Sequence, residues 1–126
     1  MGLPIAVVQD GAPELWKALA TALHNEPVVG EWTEVLDWYH LDERLSLCLD
    51  LCESAKKREA QRKRWHDKLL STEDGMSAVL RSLRRKARAL DDERAEELGA
   101  HIRYFARNKH RTHYASYKKH CLPIGS

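Results

Sequence analysis

The stretch "PIAVVQDGAPELWKALATALHNEPVVGEWTEVLDWYH", residues 4–40, decides the fold. It opens on a largely apolar, β-branched run that stops at Asp10-Gly11, the mark of a short buried strand over residues 4–9. Pro13 suits the first turn of a helix, and Glu14 complements the positive end of its dipole. Leu15, Leu19 and Leu23 follow at i, i+4 and i+8 with Trp16 beside them, and Asn25 and Pro27 close the helix. A second strand is predicted over residues 33–38, where Val35, Leu36 and Trp38, with Tyr39 just beyond, are strand formers. Strand, helix, strand at this spacing is a βαβ unit, which implies parallel strands and a right-handed crossover. Two parallel strands make a poor domain alone, because parallel sheets are covered on both faces. The stretch therefore reads as a slice of a larger sheet, with an unpaired strand edge open to self-association.

No strand pattern follows His40. Leu41, Leu45, Cys48 and Cys52 share one helical face, and the pattern runs on into "ESAKKREAQRKRW", residues 53–65. In "STEDG", residues 71–75, Ser71 or Thr72 is the candidate cap and Asp74-Gly75 a local breaker. Met76, Val79, Leu80, Leu83, Ala87 and Leu90 then recur at helical spacing, a strongly amphipathic pattern. Asp91, Asp92 and Glu93 open the next helix, whose apolar stripe is Ala95, Leu98, Ile102 and Phe105; Gly99 inside it is a minor cost. A short last helix is expected within residues 112–120, before Pro123. The fold class is α/β and mostly α.

The chain has 126 residues, 43% of them hydrophobic and 32% charged, which fits one domain with a modest core. It has no apolar run long enough to span a membrane, and "MGLPIAVVQDG" lacks the basic start of a signal peptide. Cys48, Cys52 and Cys121 are an odd number and suggest no disulfide framework, so a reducing cytoplasm is the expected compartment. The net charge of +2 hides a division. Residues 1–53 carry ten acidic residues against Lys17 and Arg44, a balance of −8, and residues 54–126 carry nineteen basic against nine acidic, a balance of +10. A polyanion would meet the second half.

Asp10 stands at the end of the first strand, the edge where open α/β sheets bind ligands, and a carboxylate there suits a hard cation. On spacing alone Asp10-Gly11 reads rather as a plain turn and helix start. Asp37 and His40 fall near the same edge, where His40 either orients a carboxylate, contacts phosphate, or caps a helix. Cys48 and Cys52 lie one helical turn apart and read as buried thiols, since a zinc site needs two further ligands. His110, His113, His120 and Cys121 form a richer group, but their neighbours are cations that repel a metal. The basic segments carry more. Arg81, Arg84, Arg85 and Arg88 share one helical face, turned from the Met76–Leu90 stripe. Lys56, Lys57, Arg58, Arg62, Lys63 and Arg64 cluster around Trp65, and Arg107, Lys109, Arg111, Lys118 and Lys119 interleave with aromatics. Such residues bind phosphate oxygens and release counterions without reading bases, and no base-reading motif is present.

Three motifs carry a family resemblance. "YFARNKHRTHYASYKKHCLPIGS", residues 104–126, resembles the segment before the last catalytic carboxylate in the ISKra group of bacterial insertion-sequence DDE transposases. "VVQDGAPELW", residues 7–16, resembles that group's strand ending in Asp-Gly-Ala, and "VLDWYHLDERL", residues 35–45, its Leu-Asp-aromatic-aromatic-His segment. The resemblance implies a ribonuclease H-like core whose three carboxylates hold two magnesium or manganese ions for attack on a DNA phosphodiester. It makes Asp10 the second catalytic, metal-binding carboxylate and Asp37 and His40 an accessory pair. Residues 1–40 then form a partial ribonuclease H-like βαβ unit, residues 41–107 a helical insertion, and residues 108–126 a return segment toward the catalytic helix. The first and third carboxylates have no counterpart here, so the resemblance implies a truncated fragment that binds DNA but holds no metal and cleaves nothing alone. Two other functions fit the residues: a non-enzymatic helical nucleic-acid-binding module, and a small metal-binding regulator built on the His/Cys-rich end.

Overall fold

The computed structural model describes residues 5–9, 13–24, 32–120, 122 and 124. Strands β1 (Ile5–Gln9) and β2 (Trp32–Leu36) pair in parallel, Ile5 opposite Trp32 and Gln9 opposite Leu36, with helix α1 (Pro13–His24) between them. No third strand occurs among the described residues. Within α1 it is Trp16 that turns inward, 4% exposed, while Leu15 faces solvent at 52%.

β2 stops at Leu36, two residues short of the predicted end, and Asp37 is the reason. Its carboxylate Oδ1 accepts the backbone N–H of Tyr39 at 2.9 Å and of His40 at 3.4 Å, capping α2 (Trp38–Cys52). Those N–H groups have no partner inside the helix, and satisfying them outweighs the strand preference of Trp38 and Tyr39. Asp37 and His40 are thus the cap and first turn of a helix, not strand residues. α2 buries Leu41, Leu45, Cys48 and Leu49 and ends at Glu53, whose backbone is extended. The expected continuation into residues 53–65 is a separate helix, α3 (Ala55–Ser71), which buries Gln61, Trp65 and Leu69.

The corner after α3 is tighter than expected. Ser71 closes α3 and Thr72 follows as its C-cap, so neither starts α4 (Gly75–Ala87); Asp74 does. A methyl group on Gly75 would sit 2.1 Å from the Lys68 carbonyl oxygen and 2.7 Å from Leu69 Cα. Only glycine lets the two backbones approach this closely. Met76, Val79, Leu80 and Leu83 are buried as their spacing predicts. Asp91 caps α5 (Asp92–Arg107) by accepting the Arg94 N–H at 2.9 Å, and Leu98, Tyr104 and Phe105 are buried beneath it. A 3-10 turn (Lys109–Arg111) and α6 (Tyr114–Lys119) complete the order.

One core runs from Val35 and Leu36 through all the helices after β2, with Leu122 and Ile124 packed at its margin. Three long-range contacts fasten the sheet to the helices. Arg111 Nε donates to Glu34 Oε1 at 2.8 Å, the Tyr114 hydroxyl donates to the Leu36 carbonyl at 2.8 Å, and the Trp38 N–H donates to the Ile124 carbonyl at 2.7 Å. No helix among the described residues is long and apolar enough to cross a membrane.

Candidate functional site

The C-terminal end of the sheet is where the three quoted motifs converge. The register pairs Gln9 with Leu36, the residues that precede Asp10 and Asp37 in the chain. Asp10 itself, the expected catalytic and metal-binding residue, lies outside the described residues. Ile124, from the last motif, accepts the Trp38 N–H one residue beyond Asp37. His40 Nδ1 lies 3.5 Å from Asp37 Oδ1. That oxygen is already the helix cap, which leaves Asp37 one oxygen, Oδ2, outside the cap. Among the described residues no three His, Cys, Asp or Glu side chains are placed to hold a metal ion. The described donors therefore do not complete a site for magnesium or manganese, and no step through a metal is assigned to them.

Beneath this corner an aromatic ladder holds Trp38. Its ring lies 5.0 Å from His66 and 5.0 Å from Tyr114, edge-on to the latter, and Tyr114 meets Tyr117 at 5.9 Å. Burial pushes the Tyr114 hydroxyl well above its ordinary pKa, so it remains a donor to Leu36. Asp42 braces the ladder from behind. It bonds Arg62 through both oxygens and lies 2.6 Å from His66 Nε2. Burial alone would raise the Asp42 pKa, but the bonds from Arg62 and His66 overcome it and hold the carboxyl below the usual range. Asp42 and His66 were not candidates on sequence, because each resembles any polar residue on a charged helix.

The fifteen cations expected to meet DNA divide in two. Arg58, Arg62, Lys109 and Arg111 hold carboxylates: Asp50, Asp42, Asp74 and Glu34 respectively. Arg64 donates to Gln61 Oε1 at 3.2 Å. Arg81, Arg84, Arg85 and Arg88 are all exposed on α4 and enter no ion pair among the described residues, and the same is true of Lys56, Lys57, Lys63, Arg107, Lys118 and Lys119. Lys86 bonds Glu53 at 2.6 Å, which places the arginine-rich end of α4 beside the start of α3, where Lys56 and Lys57 stand.

The thiols behave as core. Cys48 is buried, and burial pushes its pKa up to about 12; Cys52 is half-buried and raised by the same cause. His110 and His113 share an open groove of about 420 Å³ with Asp74 and Lys109, and the ammonium of Lys109, 3.7 Å from Asp74, occupies the charge a metal would need. Cys121 lies outside the described residues. Compared with protein-family profiles, curated proteins and solved structures, the chain matches none.

Proposed function

We propose that this chain is part of the catalytic region of a DDE-type DNA transposase and that it binds the DNA backbone through the exposed cations of α4 and the start of α3. The observation that carries the reading is convergence. Three motifs that resemble one family, separated by most of the chain, meet at a single corner: β1 and β2 end in register, and Ile124 bonds Trp38 beside Asp37. In a DDE enzyme that corner is where the metal carboxylates gather, and Asp10 is the one the resemblance places here. A metal pair, when bound, supplies charge for the attacking and leaving oxygens of a phosphodiester. This chain's own part is to set the strand ends, cap α2 and hold DNA nearby.

The test has two arms. A nicking assay on supercoiled DNA with magnesium or manganese is expected to show no cleavage by the chain alone. Cleavage abolished by Asp10→Ala would show that this chain is competent by itself. Fluorescence anisotropy with labelled duplex is expected to show affinity falling steeply from about 50 to 200 mM salt. Affinity indifferent to salt removes the DNA reading. A second reading, a helical nucleic-acid-binding module without catalytic ancestry, is favoured by one feature: the arginine strip of α4, exposed and without an ion pair among the described residues, needs no strand end to work. The genomic sequence after codon 126 separates the two, since the transposase reading expects a glutamate codon shortly downstream in some frame.

A further inference from the structure

α2 and α5 enclose a groove of about 250 Å³ lined by His40, Glu43, Arg44, Leu47, His101 and Tyr104. Arg44 is its chemical centre. The guanidinium carbon sits 3.6 Å above the Tyr104 ring centroid, and Nη1 donates to His101 Nδ1 at 3.3 Å. Every other half-buried arginine among the described residues, Arg58, Arg62 and Arg111, is held by a carboxylate. Arg44 enters no ion pair there, although it lies in the acidic half of the sequence.

A guanidinium has five N–H donors in a rigid plane, suited to oxygens of phosphate or carboxylate. Stacking on Tyr104 occupies one face, and His101 takes one N–H. Among the described residues no other acceptor meets Arg44, so its remaining N–H edge is open to a ligand. Because His101 accepts through Nδ1, its ring proton sits on Nε2. Burial, and after it the charge of Arg44, hold the His101 pKa below its ordinary value, which keeps this arrangement neutral at the ring. Leu47, on the groove wall, is 52% exposed. A guanidinium edge in an open groove suits the phosphate oxygens of a nucleic-acid backbone. His40, on the groove wall, is the residue beside Asp37, so the groove begins where β2 ends.

We propose that this groove takes a backbone phosphate of a DNA strand passing the end of β2, with Arg44 as the phosphate-binding residue. This rests on the DNA reading above and adds a site separate from the α4 strip. Glu43 lines the same groove and opposes an anion, so it weakens the contact and limits how tightly the strand is held.

The probe is a fluorescein-labelled oligothymidylate, titrated by anisotropy over about 50 to 200 mM salt. Arg44→Gln is expected to weaken binding about tenfold and to lower the slope of log affinity against log salt by about 0.7. Arg44→Lys does not restore it, since a point charge cannot stack on Tyr104 and present a planar edge. Glu43→Gln shifts affinity the opposite way, several-fold tighter. If Arg44→Gln loses its far-UV circular dichroism, the Glu43→Gln result decides. If Arg84→Gln and Arg85→Gln lower affinity and slope while Arg44→Gln and Glu43→Gln change neither, the groove is refuted and DNA binding by α4 stands. If the unaltered chain binds the oligonucleotide without salt dependence, both fall together.

Discussion

Arg111→Met tests how the sheet is attached to the helices. Arg111 is 14% exposed and donates to Glu34 Oε1 from Nε at 2.8 Å, with Nη2 in ion-pair contact at 2.7 Å. Its Nη1 donates to the buried Asn108 Oδ1 at 2.8 Å, and its guanidinium carbon lies 4.0 Å from the Trp16 ring centroid. Methionine keeps most of the aliphatic bulk and removes the charge and donors. Breaking a fully buried pair costs about 3–5 kcal/mol and an exposed pair under about 1 kcal/mol. Glu34 is 26% exposed, so solvent screens part of the loss, and about 2 kcal/mol is a fair share for the pair. The orphaned Asn108 oxygen and the lost stacking add about 1 kcal/mol each. The sum, about 4 kcal/mol, is a large part of a typical domain's stability. Urea unfolding followed by far-UV circular dichroism reads it as a fall in midpoint of about 1.3–4 M at unchanged slope. Glu34→Gln alone should cost less, and the double variant should cost much less than the sum, because the two side chains act as one unit. A loss below about 0.5 kcal/mol for Arg111→Met, or additive losses in the cycle, refutes the clamp.

Two further outcomes follow from the packing and the buried thiol. Gly75→Ala should cost about 3 kcal/mol, since its new methyl meets backbone that cannot yield. Gly99→Ala meets only the end of the Arg103 side chain at 3.4 Å and should gain about 0.5–1 kcal/mol in melting experiments; a loss there, or tolerance at position 75, contradicts the helix geometry. The Cys48 thiol titrates near 9.0 when unfolded and near about 12 when folded, so the folded state holds its proton longer. Stability is therefore full below pH 9.0 and falls as pH rises toward about 12, with Tyr114 acting in the same direction. Cys48→Ala should flatten that alkaline decline, and an unchanged decline would place the titration elsewhere.

What the sequence made legible was periodicity, and what it hid was competition. The Met76–Leu83 stripe and the Leu41–Cys48 face are buried as spacing predicts, because burying an apolar face is a demand each helix makes on its own. The start of β2 follows from its residues but its end does not: Trp38 and Tyr39 favour strand, and one carboxylate at Asp37 turns them into a helix. Trp16 rather than Leu15 faces inward because Arg111, far along the chain, supplies a surface for the indole. At the candidate site, residue type pointed to Asp37 and His40 but not to Asp42, His66 or Arg44, whose roles exist only once α2 meets α3 and α5.

The charge division of the sequence has a structural meaning that composition cannot express. Among the described residues four ion pairs join an acid from residues 1–53 to a Lys or Arg from residues 54–126: Glu34–Arg111, Asp42–Arg62, Asp50–Arg58 and Glu53–Lys86. Each ties β2 or α2 to a later element, so part of the opposition between the halves is consumed in holding the fold together. What is left over is the quantity that matters for a partner. The exposed arginines of α4 enter no ion pair among the described residues, and the field they project falls off within about 10 Å at moderate salt. A ligand must therefore come to them rather than be steered from afar by the net charge. The one arginine in the acidic half of the sequence, Arg44, is also the one half-buried arginine that no carboxylate holds among the described residues. That contrast carries the proposal for Arg44: the fold neutralises its other half-buried guanidinium groups among the described residues and pairs this one with none.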